Sequence, residues 1–78
     1  MDEIRIGSIV NLWHWRSNTV KEFEVTDIFF ERYISGFKTI VKAKYYSPKC
    51  ECWFEETFFD NDFFKYAEKA SLMEAEND

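Results

Sequence analysis

From Phe37 to Tyr46 the chain alternates strictly: Phe37, Thr39, Val41, Ala43 and Tyr45 interleave with Lys38, Ile40, Lys42, Lys44 and Tyr46. A period of two belongs to a half-buried strand, because successive side chains of an extended chain point to opposite faces. A turn follows at Ser47-Pro48-Lys49. Beyond it Cys50, Cys52 and Phe54 alternate with Glu51, Trp53 and Glu55, which predicts a second strand returning antiparallel to the first. Pairing residue 45 with 50, or 47 with 50, leaves every side chain on the same face, since the two registers differ by two positions. The expected core side joins Val41, Ala43, Cys52 and Phe54. The outer side sets Lys38, Lys42 and Lys44 opposite Glu51 and Glu55, with Ile40 and Trp53 among them.

The flanks extend this pattern. Ile4 and Ile6 alternate until Gly7, where a bulge or tight bend is expected, and Ile9, Val10 and Leu12 resume. Past the glycine, Val10 and Leu12 share one face, and Asn11, Trp13 and Trp15 the other. Arg16-Ser17-Asn18-Thr19 reads as a polar turn in which Asn18 tolerates the left-handed conformation. The strand through Phe23 and Val25 loses its alternation at Asp27-Ile28-Phe29-Phe30, so it bends or changes face near Asp27. Glu31 to Gly36 forms the next turn, with Gly36 supplying a positive φ. After Phe59, the capping residues Asp60, Asn61 and Asp62 precede Phe63, Ala67 and Ala70 at helical spacing, with Leu72 or Met73 continuing that face, which predicts a short helix. That acidic cluster lacks the glycine turn and the closing glutamate of a calcium loop. Met1 to Glu3 are expected to fray.

A chain of 78 residues makes one domain whose core provides ~3 to 5 kcal/mol unless it is stapled. Aromatics form 21% of the residues, nine of them Phe. Each buries on the order of 150 to 250 Å² when enclosed, so no staple is required. Cys50 and Cys52, one residue apart on an expected strand, have Cα atoms roughly 6.5 to 7 Å apart, the far limit for a disulfide. With His14 as the single histidine, no zinc set assembles. The reading is reduced thiols, at least one packed as a small hydrophobe, in a cytoplasmic protein without metal or cofactor. No signal peptide is read before Ile4 and no apolar run approaches the ~20 residues of a membrane span. The net charge of −5 is concentrated at the end, where Lys69 faces Glu68, Glu74, Glu76 and Asp78. Residues 1–73 are expected to form the folded domain and 74–78 a disordered acidic tail.

Short strands, a turn every ten or so residues and a terminal helix predict a mainly β fold, a small antiparallel barrel of four to five strands. The string Arg5-Ile6-Gly7-Ser8-Ile9-Val10, followed by Phe23-Glu24-Val25-Thr26-Asp27-Ile28, resembles the opening of SH3-like small barrels, and the resemblance implies that fold over the first half of the chain. The helix after Phe59 departs from the family. In general style the chain is similar to the small accessory and host-inhibitor proteins that bacteriophages encode.

Function is weighed among three classes. An enzyme needs a convergent acid, base or nucleophile. His14 alternates away from Trp13 and Trp15, Cys50 has no base placed beside it, and Glu51, Glu55 and Glu56 stand as solvated charges among lysines, so no enzyme is expected. A nucleic-acid face would use Arg5, Arg16, Lys38, Lys42 and Lys44 with Trp13, Trp15 and Trp53 as stacking surfaces, against an acidic net charge. A variant is an aromatic cage for a methylated lysine or other cation, built from Trp13, Trp15, Tyr33 and Tyr45. The favoured class is protein binding. Trp13, Trp15 and Trp53 would anchor the contact, while Glu51, Glu55, Glu56, Asp60 and Asp62 would meet a basic surface of the partner and inhibit it by occupancy. An exposed edge strand pairing with its own copy would make a homodimer.

Overall fold

A computed structural model describes residues 4–76. Strands β1 (Ile9–His14), β2 (Thr19–Tyr33), β3 (Gly36–Ser47) and β4 (Cys52–Phe59) are followed by helix α1 (Asp60–Glu76). The strands form one antiparallel sheet in the order β1-β2-β3-β4. The fold is therefore mainly β with a C-terminal helix. The sheet is not closed, with β1 and β4 as its edges, so the strands do not complete the expected SH3-like barrel. Side chains, not a hydrogen-bond ladder, draw these edges together. Trp15, just after β1, meets Phe58 of β4 edge-on at 5.8 Å. Beside it Arg16 forms an ion pair with Glu56 at 2.8 Å.

Two bulges shape the sheet. Gly7 and Ser8 together face Val25: the Gly7 N–H donates to the Val25 carbonyl at 2.8 Å, and the Val25 N–H donates to the Ser8 carbonyl at 2.9 Å. Gly7 holds φ +93°, the conformation that such a bulge asks of its first residue. Regular pairing starts only at Ile9, so Ile4 and Ile6 lie outside the strand. The second bulge is Thr26, where the β2–β3 register shifts between Val25 and Asp27. It lets Val25 and Ile28 both face the core, which is why the alternation breaks there in the sequence.

The β2–β3 turn is tighter than the sequence suggested. β2 runs to Tyr33, leaving Ile34 and Ser35 as the link to Gly36 at φ +122°. Asn18 takes φ 53° between β1 and β2 and accepts a hydrogen bond from the Trp13 indole N–H at 2.9 Å. In the central hairpin Ser47 pairs with Cys52, two positions beyond the nearer expected register, so each strand residue keeps its expected face. The shift moves Cys50 and Glu51 out of β4 and into the turn, where Glu51 holds φ 54°.

Leu12, Phe23, Val25, Val41, Ala43, Tyr45 and Phe58 make the core, with Phe63 inserted from α1. Phe54, expected within it, shares its face but lies at the edge, stacked on Tyr45 and 40% exposed; Cys52 is half-buried. The helix buries Phe63 and Ala70 and half-buries Tyr66, Ala67 and Met73, while Leu72 stays exposed. At its start the Asp60 carboxylate accepts from the adjacent Asn61 N–H at 2.8 Å, one of the donors a helix leaves unpaired at its first turn. At 17 residues α1 is not short, and it continues past residue 73, where the acidic tail was expected to begin. There the Asn11 side-chain amide donates to Glu74 at 3.2 Å, tying the last turn to β1. The expectations for Met1 to Glu3 and for residues 77–78 lie outside the described residues.

Candidate protein-binding face

The outer face of the sheet is a three-strand charge ladder. On β3, Lys44 stands between Glu24 of β2 and Glu55 of β4, Lys42 between Asp27 and Thr57, and Lys38 opposite Glu31. The ammonium groups lie over aromatic rings of neighbouring strands: Lys38 over Phe59 at 5.4 Å, Lys42 over Phe29 at 5.8 Å and Lys44 over Trp53 at 4.7 Å. Phe29, Ile40 and Phe59 form a row across this face, and Ile40 in its middle is only 3% exposed. Alternation along β3 alone assigns Ile40 to solvent. Its burial needs flanking rings that only the sheet register supplies.

One end of this face carries a shallow groove of ≈ 320 Å³ lined by Ile9, Glu22, Glu24, Tyr46 and Trp53 together with Lys21 and Phe23. Trp53 is 56% exposed and meets Tyr46 edge-on at 5.4 Å, so the two rings brace each other. Two carboxylates, a braced indole and an exposed isoleucine suit a cationic side chain with an apolar stem. Lys44, on the indole, is the chain's own example of that fit.

A second groove, ≈ 290 Å³, is lined by Trp15, Glu31, Tyr33, Ile40, Thr57, Phe58, Phe59, Asp62 and Tyr66. It brings Trp15 and Tyr33, two members of the expected aromatic cage, to one site. The other two lie elsewhere, Trp13 against Tyr66 and Lys69, and Tyr45 within the core. Trp15 is stacked on Tyr66 at 5.4 Å and has the Arg16 guanidinium over its ring at 5.6 Å. Tyr33 donates its hydroxyl to Glu31 at 3.1 Å. Burial, reinforced by Glu31, pushes the Tyr33 phenol up from its ordinary pKa. The rings of this groove are engaged with one another.

The expected binding residues therefore divide. Trp53 and Glu55 share the outer face, whereas Glu51 lies in the turn. Glu56 points to the core side and is held by Arg16. Asp60 and Asp62 occupy the first turn of α1. Trp13 and Trp15 pack on the helix through Tyr66 rather than forming an open platform. Of the alternative basic set, Lys38, Lys42 and Lys44 form one row on β3. Arg16 lies between β1 and β2, paired with Glu56 of β4, and Arg5 precedes β1 in a turn where its backbone N–H donates to the Ser8 hydroxyl at 3.1 Å. Glu22, Glu24 and Tyr46 were not among the expected site residues. Their signal was available in the alternation of β2 and β3, but the sequence did not indicate that β2 would bring its glutamates beside Trp53.

Cys50 and Cys52 are free thiols. Burial first, then the adjoining Cys50 thiol, pushes Cys52 up in pKa, away from the nucleophilic thiolate. His14 is enclosed by Trp15, Phe23 and Tyr45. Among the described residues no group of three or more His, Cys, Asp and Glu side chains is placed to hold a metal ion, and no helix is long and apolar enough to cross a membrane. Compared with known proteins, the chain matches no family model, no curated sequence and no solved structure.

Proposed function

We propose that the chain is a small, non-enzymatic, cytoplasmic protein-binding module that takes a basic segment of its partner on the outer face of the sheet. In that role it acts as a phage-type inhibitor does, by covering a basic surface of a host protein. The observation that carries the reading is Trp53, exposed, braced by Tyr46 and flanked by Glu22 and Glu24 in one groove. Exposed tryptophan beside charge is hot-spot chemistry, and the carboxylates select a cationic partner. On binding, a lysine or arginine of the partner takes the place of Lys44 over the indole.

The nucleic-acid alternative draws on the row of Lys38, Lys42 and Lys44 beside Trp53. Each of these lysines has a carboxylate in register and a ring beneath it, which leaves little positive potential for phosphate. The two readings give opposite signs for one substitution. Lys44→Ala frees the indole for a partner cation and tightens protein binding about two- to fivefold, whereas it weakens binding to a phosphate backbone. Trp53→Ala weakens protein binding by at least about 30-fold. The experiment is a pull-down from nuclease-treated lysate, with titration of the retained protein against wild type and both variants. Retention that disappears with nuclease, or Lys44→Ala that weakens binding, sinks the proposal in favour of nucleic acid.

A further inference from the structure

The apolar face of the sheet continues past its own cover. Ile28, Phe30 and Arg32 follow one another on one face of β2, alongside Val41, Thr39 and Phe37 of β3. At the inner end Val41 belongs to the core and Ile28 packs against it. Farther out on that face, Phe30 and Phe37 are 75% and 74% exposed, and Ile34 at the tip is fully exposed. The flanking strands explain the change. Regular β1 pairing on β2 ends at Glu24, and β4 pairs with β3 only from Ile40 onward. The tip of the β2–β3 hairpin therefore projects as a two-stranded arm with neither edge paired to a further strand.

We propose that this arm face docks a second copy of the chain, arm against arm about a two-fold axis. Three features favour a self-complementary partner. The two phenylalanines and Ile34 expose on the order of 500 Å² per copy. Complete enclosure of these three side chains in both copies removes about 1,000 Å², the size at which a specific interface begins. Although the chain carries net charge −5, no carboxylate occurs from Arg32 to Cys50, and Glu31 points to the opposite face, so two arms meet without acid facing acid. Arg32 stands on the docking face next to Phe30 and across from Phe37, where each copy offers a guanidinium to the rings of the other. An acid-free face bearing an arginine does not attract the basic partner proposed for the Trp53 groove, so the two surfaces are separate.

Sedimentation of the full chain from about 5 to about 500 µM tests this. Wild type is expected to dimerise within that range, and Phe37→Ser and Ile34→Ser each to weaken dimerisation at least about tenfold with the near-ultraviolet circular dichroism unchanged. Trp53→Ala, on the other surface, leaves the dimer intact. A chain that stays monomeric throughout, a dimer indifferent to Phe37→Ser and Ile34→Ser, or an arm that captures a different protein while remaining monomeric overturns the proposal. Should Phe37→Ser disturb the fold, Ile34→Ser decides alone, because Ile34 makes no packing contact to lose.

Discussion

His14 shows what one residue costs this core. Its Nδ1 lies 3.2 Å from the Ser17 hydroxyl, which in turn shares a hydrogen bond with Thr19 at 2.7 Å. Its buried Nε2 has no hydrogen-bond partner. A neutral imidazole tolerates this among rings; an imidazolium would leave a charged N–H unsatisfied in apolar surroundings. Burial therefore lowers the pKa from 6.5, with Lys21 and Arg16 adding to the effect and Glu56 opposing it. Because the folded-state pKa lies below the unfolded one, the unfolded chain takes up the proton first as pH falls. The contribution of neutral His14 is fully present above about pH 6.5 and is lost as pH drops toward the lower folded value, about 1.4 kcal/mol for each unit of separation. Urea unfolding is expected to show a constant midpoint from pH 8 to 7 and a falling one below about 6.5. His14→Phe, which fills the site without a titrating group, flattens that fall. An unchanged slope in the variant would assign the effect elsewhere. Alternation in the sequence placed His14 on the face opposite Trp13 and Trp15, but nothing local announced its enclosure, which depends on Phe23 and Tyr45 from two other strands.

The elements differ in how much of them the sequence disclosed. Strand faces, the glycine bulge, the break at Asp27 and the start of α1 are local properties, written in alternation, φ demands and capping residues, and all of them were legible. Register and helix length are not local. The hairpin register lies two positions from the expected one without consequence for its faces, and α1 runs on to Glu76, its last turn meeting β1 where Asn11, 63 positions away, donates to Glu74. The candidate site suffered most, since Glu22, Glu24, Tyr46 and Trp53 come from three strands. Besides Phe63, which is buried in the core, helix and sheet are joined by Tyr66, which contacts Trp13 at 5.7 Å, Trp15 at 5.4 Å and Phe58 at 6.0 Å. Tyr66→Ala is expected to destabilise the fold by about 2 to 3 kcal/mol, and to shift tryptophan emission to the red as Trp13 and Trp15 lose their cover. Tyr66→Phe keeps the ring and stays near wild type in both measurements. Equal damage from the two variants would assign the role to the hydroxyl instead.

At the scale of the molecule the two edges of the open sheet meet through the Arg16–Glu56 ion pair and the Trp15–Phe58 ring contact. Arg16 and Glu56 make that contact asymmetrically: the arginine side chain is 64% exposed and the glutamate 10%. The charges therefore respond differently to losing each other. Without Glu56 the guanidinium turns to water and keeps its place over Trp15. Without Arg16 the carboxylate stays half-enclosed with its main counter-charge gone, and an enclosed charge cannot recover its hydration without local opening. Arg16→Ala is thus expected to cost more than Glu56→Ala, by about 1 kcal/mol, a figure kept small because the arginine end is screened by solvent. The double variant is expected to be more stable than Arg16→Ala alone. Urea titration of the four proteins gives the cycle directly, and Glu56→Ala should further lower the His14 pKa, since Glu56 is the group that opposes its depression. If the two single variants cost the same and their effects add, the ion pair is a surface contact, and the edges are held by the packing of Trp15 on Phe58 and Tyr66.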